Sequence, residues 1–243
     1  MEWKDSAIIL HRSKYSDKIM VLTCFSSKHG LSRGSISNAK KNQSITDVGN
    51  IVSLSWRGRL EEHLGKFSIE SHESVYPFIY HDIAKMSAML NLCEIFRCGL
   101  APKEPNNVLY GYLEDFLYAM KYNESNWLQR MLFLEMEFLS HSGFGLDLSK
   151  CGVTGSTAEL SYISPKTGRA ISKEIGVPYK EKLFKITDAL QKIECESDVL
   201  DVLESLKVTQ YFLEKHFQIP ESRKKFVDIA SILQKKNNDL ESN

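Results

Sequence analysis

The chain has 243 residues, 42% of them hydrophobic, enough to bury at least one sizeable core and to form one or two domains. No apolar run approaches the roughly 18 residues that a membrane span requires, and Met-Glu-Trp-Lys-Asp at the start lacks a signal-peptide layout. The five cysteines (24, 93, 98, 151 and 195) are odd in number with no Cys-x-x-Cys spacing, which argues against a disulfide framework and fits a reducing compartment, by default the cytoplasm.

The formal net charge is zero, a sum that alone argues against a dedicated nucleic-acid binder. The charges are uneven, however: residues 1–59 hold ten Lys or Arg and four acids, a local net of +6 that the remainder offsets with −6. A local field, rather than the global sum, concentrates phosphate near a surface.

Residues 7–10, 19–25, 31–36, 50–57 and 65–71 read as five short strands rich in β-branched and aromatic side chains. Five strands within about 70 residues point to a small barrel, for which the oligonucleotide-binding (OB) fold is the commonest candidate. Val52, Leu54 and Trp56 alternate with Ser53, Ser55 and Arg57, so Arg57 points away from the core. The second strand is apolar almost throughout, as expected for one covered on both faces. From His29 to Lys41 the chain turns at Gly30, runs as a polar strand and enters a basic loop; residues 38–49, rich in Asn, Lys, Ser and Gln, suit a flexible clamp.

After Pro77 the spacing becomes helical. Ile83, Met86, Met89, Leu90, Cys93 and Arg97 mark a first helix that Pro102 and Pro105 interrupt. Val108 to Met120 form a second and Trp127 to Leu139 a third, which Gly143 ends. Residues 145–180 lose the period and are punctuated by glycines, as loops or a small sheet excursion. Helicity is expected again from Tyr179 to about Ile193 and from Val199 to His216, then in an amphipathic piece around Phe226 to Leu233, before a frayed polar tail at 235–243. The expected architecture is α+β: an OB barrel over 1–75, then a helical domain over 76–243 with a loop-rich insertion at 145–180.

These residues resemble a known family, the RecO recombination mediators. The resemblance rests on Ala7-Ile-Ile-Leu10, Arg12, Tyr15-Ser-Asp17, Phe25, Gly30 and Ala39-Lys40. It continues in Ser142-Gly-Phe-Gly-Leu-Asp-Leu-Ser-Lys-Cys151 and in Ser164-Pro-Lys-Thr-Gly168. It implies binding of single- and double-stranded DNA and annealing of complementary strands. It also implies partnership with RecR and with the acidic tail of single-stranded-DNA-binding protein, so that RecA is loaded at gaps. Two departures matter. Several members carry two Cys-x-x-Cys pairs from the position of Cys151 onward; here Thr154 stands at the second position and the next cysteine is Cys195. A structural zinc takes about four N or S ligands, so neither zinc nor another cofactor is expected. Asn38 stands where a glycine is common, and asparagine tolerates positive φ.

Arg33, Lys40, Lys41, Arg57 and Arg59 are the expected DNA contacts; singly each could be an ordinary solvated charge, whereas grouped on adjacent strands and loops they form a cationic surface. Trp56 and Phe67 should point inward, which leaves Trp3 and Tyr15, at strand edges, as better stacking candidates. Arg130, beside Trp127 and matching a family arginine, is the candidate for the acidic tail, with a snorkelling surface arginine as the alternative. Arg223 lies in a segment, Pro220 to Phe226, that also resembles the family and extends the cationic surface or opens a charged helix.

Catalysis has little support. Cys151 has no neighbouring base, Cys93 and Cys98 read as small hydrophobes on an apolar helix, and the glycines at 30–34 and 143–145 lack a phosphate-cradling pattern. A protein-only adaptor, with barrel and helices as docking surfaces, is the alternative to a non-enzymatic DNA mediator.

Overall fold

A computed structural model describes residues 1–37, 44–60, 64–191 and 197–218. Five strands close a barrel: β1 (Glu2–Lys14), β2 (Ile19–Ser26), β3 (Gly30–Ser37), β4 (Ile51–Arg57) and β5 (Gly65–Glu73), in the order β1-β2-β3-β5-β4. All neighbours are antiparallel except β3 and β5, which run parallel. This is an OB fold. Alternation along the strands sends Ala7, Ile9, Leu22, Cys24, Ile36, Val52, Leu54, Trp56 and Phe67 into the barrel.

Strand β1 covers 13 residues, not the four that its apolar run indicates. Its first half pairs with β4, from Glu2 opposite Arg57 to Ile8 opposite Ile51, and its second half with β2, with an irregularity between Ile9 and His11. Charged residues on its outward face mask the strand in the sequence. Trp3 is therefore no edge residue: it lies opposite Trp56 and stacks on both that ring and His29, at 5.9 and 4.3 Å between centroids.

Three helices follow, α1 (Tyr76–Ile79), α2 (Ile83–Gly99) and α3 (Asn107–Lys121). Asp82 caps α2 by accepting from Lys85 N at 3.1 Å, and Asn106 caps α3 by accepting from Leu109 N at 3.0 Å. The helices cover the outer face of β1 and β2, where Phe25 meets Phe96 at 5.8 Å and Tyr110 at 5.9 Å, and the Ser6 and Tyr110 hydroxyls share a 2.8 Å hydrogen bond. That cover explains the uniformly apolar second strand. The α2–α3 connection also docks on the barrel: Lys103 N donates to Leu31 O at 3.0 Å, and a Cβ on Gly30, which has φ +60°, would fall 2.2 Å from Glu104 O. Only glycine fits there.

Met1–Glu124 make one compact unit and Ser125–Gln218 another. The second contains α4 (Trp127–His141), a three-stranded sheet of β6 (Leu160–Ile163), β7 (Ala170–Ser172) and β8 (Phe184–Lys185) in the order β7-β6-β8, short helices α5 (Lys173–Gly176) and α6 (Asp188–Gln191), a 3-10 turn over Val177–Lys182, and α7 (Val199–His216). Helix α4 ends at Gly143, φ +81°, with Phe144 N donating to Leu139 O at 2.8 Å. Helices α4 and α7 pack together around the buried Glu135, which accepts from the Thr209 hydroxyl.

The continuous helix expected from Tyr179 does not form. Pairing of Phe184 with Ile163 draws this stretch into the small sheet, and the Phe184 ring packs on Tyr211 and Phe212 of α7, at 5.1 and 6.4 Å. The amphipathic piece and tail expected after residue 218 lie outside the described residues, as does Asn38.

Candidate nucleic-acid interface

Register builds the candidate interface. Directly opposed residues on paired strands point to the same side of a sheet, and one outward row can be followed around the barrel: Ser13, Val21, Ser35, Lys66, Arg57 and Glu2. Arg57 and Lys66 are thus immediate neighbours, both exposed. Arg33, also exposed, stands two residues from Ser35 on β3, and its backbone is held from inside by the Trp56 indole, which donates to Arg33 O at 3.2 Å. Among the described residues, Arg33, Arg59 and Lys66 have no ion-pair partner. Arg57 donates to one Glu2 carboxylate oxygen from Nε at 3.2 Å and Nη2 at 2.8 Å, and this contact raises its pKa. Both ends are well solvated, so the pair is weak and a phosphodiester can displace Glu2.

Strands β3 and β5 pair at two positions only, Gly34–Gly65 and Ser35–Lys66. Beyond them lies a groove of about 490 Å³ whose lining includes Ile36, Ser37, Phe67, Ser68 and Ile69, with Arg57 and Lys66 as its cations and Glu2 as its acid among the described residues. It has apolar surface for the edge of a base and cations for the backbone. Ser37 is also where the chain enters residues 38–43, so Lys40 and Lys41 follow directly in sequence, although they lie outside the described residues.

The return of that loop is fixed. Asn50, fully buried, donates from Nδ2 to Ser44 O at 2.8 Å and Ile45 O at 3.2 Å, and accepts from Val75 N at 3.2 Å. Gly49, φ +86°, donates to Ile9 O at 2.8 Å, and a Cβ on it would strike Met89. Residues 44–50, by which the chain returns to β4, are therefore held against β1 and the segment that follows β5.

Two further stretches lie toward the same side, because the β1–β2 turn precedes Ile19, which pairs with Ser37, and Gly58 to Leu60, the start of the β4–β5 loop, follow Arg57. Tyr15 in the first is 77% exposed. Its turn is tied by Tyr15 N and Ser16 N donating to Ile19 O, and by Lys14 with Asp17, whose pKa the lysine lowers. Arg59 in the second is exposed. OB folds use these two loops and the face of their second and third strands for oligonucleotides.

Of the sequence-derived contacts, then, the structure draws Arg57 next to Lys66 and near the row containing Arg33, and puts Arg59 on a flanking loop. Trp56 and Phe67 are buried, as alternation requires. Lys66 was missed, although the alternation of Lys66 and Ser68 with Phe67 marks it as outward facing. Arg130 lies in the second unit on α4, half-buried, with Nε donating to Asn126 Oδ1 at 3.2 Å. Arg223 lies outside the described residues.

The cysteines differ from one another. Burial raises Cys24, and burial with the nearby Glu94 charge pushes Cys93 up to about 12. Cys98 is exposed, contrary to its reading as a small hydrophobe. Cys151 is 2% exposed; burial opposes its ionisation, yet donors from Thr154, Ser172 and Val153 bring it down to about 6, with Ser172 N at 3.3 Å from Sγ. Thr154 thus donates to the sulfur from the position at which the family resemblance places a second cysteine. This surrounding does not fit a tetrahedral metal, and among the described residues no three His, Cys, Asp or Glu side chains converge as ligands. No helix among them is long and apolar enough to cross a membrane.

Comparison with known proteins covers nearly the whole chain. Residues 1–77 match the family described as recombination protein O N terminal, and residues 80–225 match recombination protein O C terminal. DNA repair protein RecO of Ehrlichia chaffeensis is 34% identical over 221 residues, 89% of this chain and 91% of that protein. The RecO of Wolbachia pipientis wMel is 35% identical over 221 residues, 89% and 92% of the two chains. That of Sinorhizobium medicae is 31% identical over 233 residues, 95% and 91%.

Proposed function

Because the chain belongs to the recombination protein O family of DNA repair proteins, we propose that it is a non-enzymatic mediator that holds single- and double-stranded DNA on its barrel and anneals complementary strands. The observation that carries this reading is the adjacency of Lys66 and Arg57 beside the groove between β3 and β5, with Arg33 exposed on β3 and Arg59 exposed just after β4; Lys40 and Lys41, which follow β3 in sequence, are proposed to join them. Annealing needs no reacting group. The barrier is repulsion between two phosphate backbones, and a surface that neutralises phosphates lowers it.

The partner assignments rest on family resemblance: RecR, the acidic tail of single-stranded-DNA-binding protein, for which Arg130 and Arg223 are the candidate contacts, and through them RecA loaded at gaps. In this arrangement residues 1–75 are the nucleic-acid-binding part and the helical remainder is for docking, in the cytoplasm.

Binding of labelled single-stranded DNA across a salt series tests the DNA reading, with wild type compared against a folded Lys40→Glu, Lys41→Glu double variant. Neutralising about five phosphates gives a slope of log affinity on log salt of roughly −3.5, and the variant is expected to lose most of the affinity. Absence of DNA binding by wild type even at low salt would leave the barrel as a protein-docking module.

A further inference from the structure

The outward row next to the one described above carries a second pair of basic side chains. His11, Thr23 and Arg33 oppose one another across β1, β2 and β3 and so point to the same side. At ~4.8 Å per strand, His11 and Arg33 stand roughly 10 Å apart at the backbone, with Thr23 between them. Thr23, between the exposed His11 and Arg33, is 7% exposed although it faces outward. Helix α2 packs against β1. Phe96 packs on Phe25, two residues along β2 from Thr23, and the next helical residue is Arg97. Arg97 is held by Glu94, its Nε donating to Oε2 at 2.6 Å and its Nη2 to Oε1, while Nη2 also lies 3.4 Å from Cys98 Sγ. The helix thus brings a held guanidinium close enough to act on His11, as Arg33 does from β3.

From this convergence we propose that His11, Arg33 and Arg97 form a seat for one phosphodiester group of a nucleic-acid strand, with Thr23 beneath it and Glu94 positioning Arg97. The seat rests on the reading that the barrel binds DNA and gives that path a direction, from the groove across β3 and β2 toward α2. Two guanidiniums and an imidazole approaching from different elements surround a tetrahedral anion in a way that a single surface lysine does not.

The imidazole makes the seat observable. His11 is faced by Arg97 and Glu94 from α2 and by Arg33 from β3; burial and Arg97 hold its pKa below 6.5, Glu94 opposes them and Arg33 adds to the lowering. The free protein therefore carries it neutral at pH 7. A phosphodiester arriving between the cations favours imidazolium, so binding takes up a proton and tightens as pH falls from about 8 toward 6.

NMR titration of the His11 ring in the full chain, with and without a short oligothymidylate, tests this together with the salt dependence of DNA affinity. Two variants are compared: His11→Gln, at an exposed strand position, and the double variant Glu94→Gln, Arg97→Gln, which leaves net charge unchanged. The expected results are a raised His11 pKa on binding, affinity reduced on the order of fivefold in each variant, and a salt slope shallower by ~0.7 for the double variant. If net field alone mattered, the double variant would bind like wild type, and the seat would be refuted. DNA binding with an unmoved His11 pKa would also refute it while leaving the barrel reading intact. Equal response to inorganic phosphate at the same concentration would overturn the assignment to a strand. No DNA binding by wild type would remove the seat and the parent reading together.

Discussion

Met1–Glu124 and Ser125–Gln218 both combine a small sheet with helices around an apolar core, and they differ in what they do with their cations. On the barrel, strand register puts Arg57 against Lys66, with Glu2 as the acid of that row. In the second unit Lys207 pairs with Glu204 one helical turn away, Arg169 lies 3.9 Å from Asp147, and Lys215 Nζ donates to the carbonyls of Pro165 and Lys166 at 2.7 and 2.9 Å. Both units hold ion pairs, among them Lys4–Glu70, Arg12–Asp47 and Arg97–Glu94 in the first; what sets the first apart is the row on the barrel, where register brings two cations side by side. Composition averages the two units together; register separates them.

The largest effect should come from cutting the first unit short. Ending the chain after residue 77 keeps every barrel strand but removes α2 and α3, which cover Ile8, Leu10 and Phe25, and removes the docking of Lys103 on Leu31. Burial of each such side chain contributes about 1.5 to 3 kcal/mol, comparable in sum with the whole stability of a small domain. Fragment 1–77 is expected to aggregate or remain unfolded, and fragment 1–124 to melt cooperatively, as followed by circular dichroism. A well-folded 1–77 fragment would show that the barrel does not depend on its helical cover.

A smaller effect sharpens the contrast in charge. Arg57→Glu with Lys66→Glu should lower single-stranded DNA affinity more than about tenfold at low salt, whereas Lys207→Glu with Arg169→Glu, the same change in net charge, should leave it within about twofold. Fluorescence anisotropy on both double variants decides the matter. Equal losses would mean that net charge, not the row on the barrel, governs binding.

Much of this architecture is legible in the residues. Alternation at 52–57 fixes which side of β4 is cationic, and the inward placement of Trp56 and Phe67 follows from it. The extent of β1 is not legible, because its outward charges break the apolar run and its two halves serve different partners. The adjacency of Arg57 and Lys66 is likewise a fact of pairing across a loop, which spacing along the chain does not encode. The failure of the helix at 179–191 has the same cause: Leu183, Phe184 and Leu190 fit a helical period, but long-range pairing with β6 overrides local preference.

The smallest predicted effect concerns Cys151 and is confined to the second unit. Its thiol, brought to about 6 by donors from Thr154, Ser172 and Val153, has an ordinary unfolded value near 9. A group whose folded pKa is depressed stabilises the fold fully above the unfolded value, and that contribution shrinks as pH falls toward the folded one. Relative to a Cys151→Ser variant, wild type should therefore become more stable between pH 6 and 9 and gain nothing below 6. The difference in ultraviolet thiolate absorbance between the two proteins should show one group titrating near pH 6, well below Cys24, Cys93 and Cys98, all of which are raised. Thr154→Val, which keeps the shape and removes the hydroxyl donor, should move that transition upward. A thiol that titrates near 9 in the folded chain, or a Thr154→Val variant that leaves it unmoved, would mean that Thr154 does not hold the sulfur ionised. The position at which the family resemblance places a second cysteine would then be filled for packing alone.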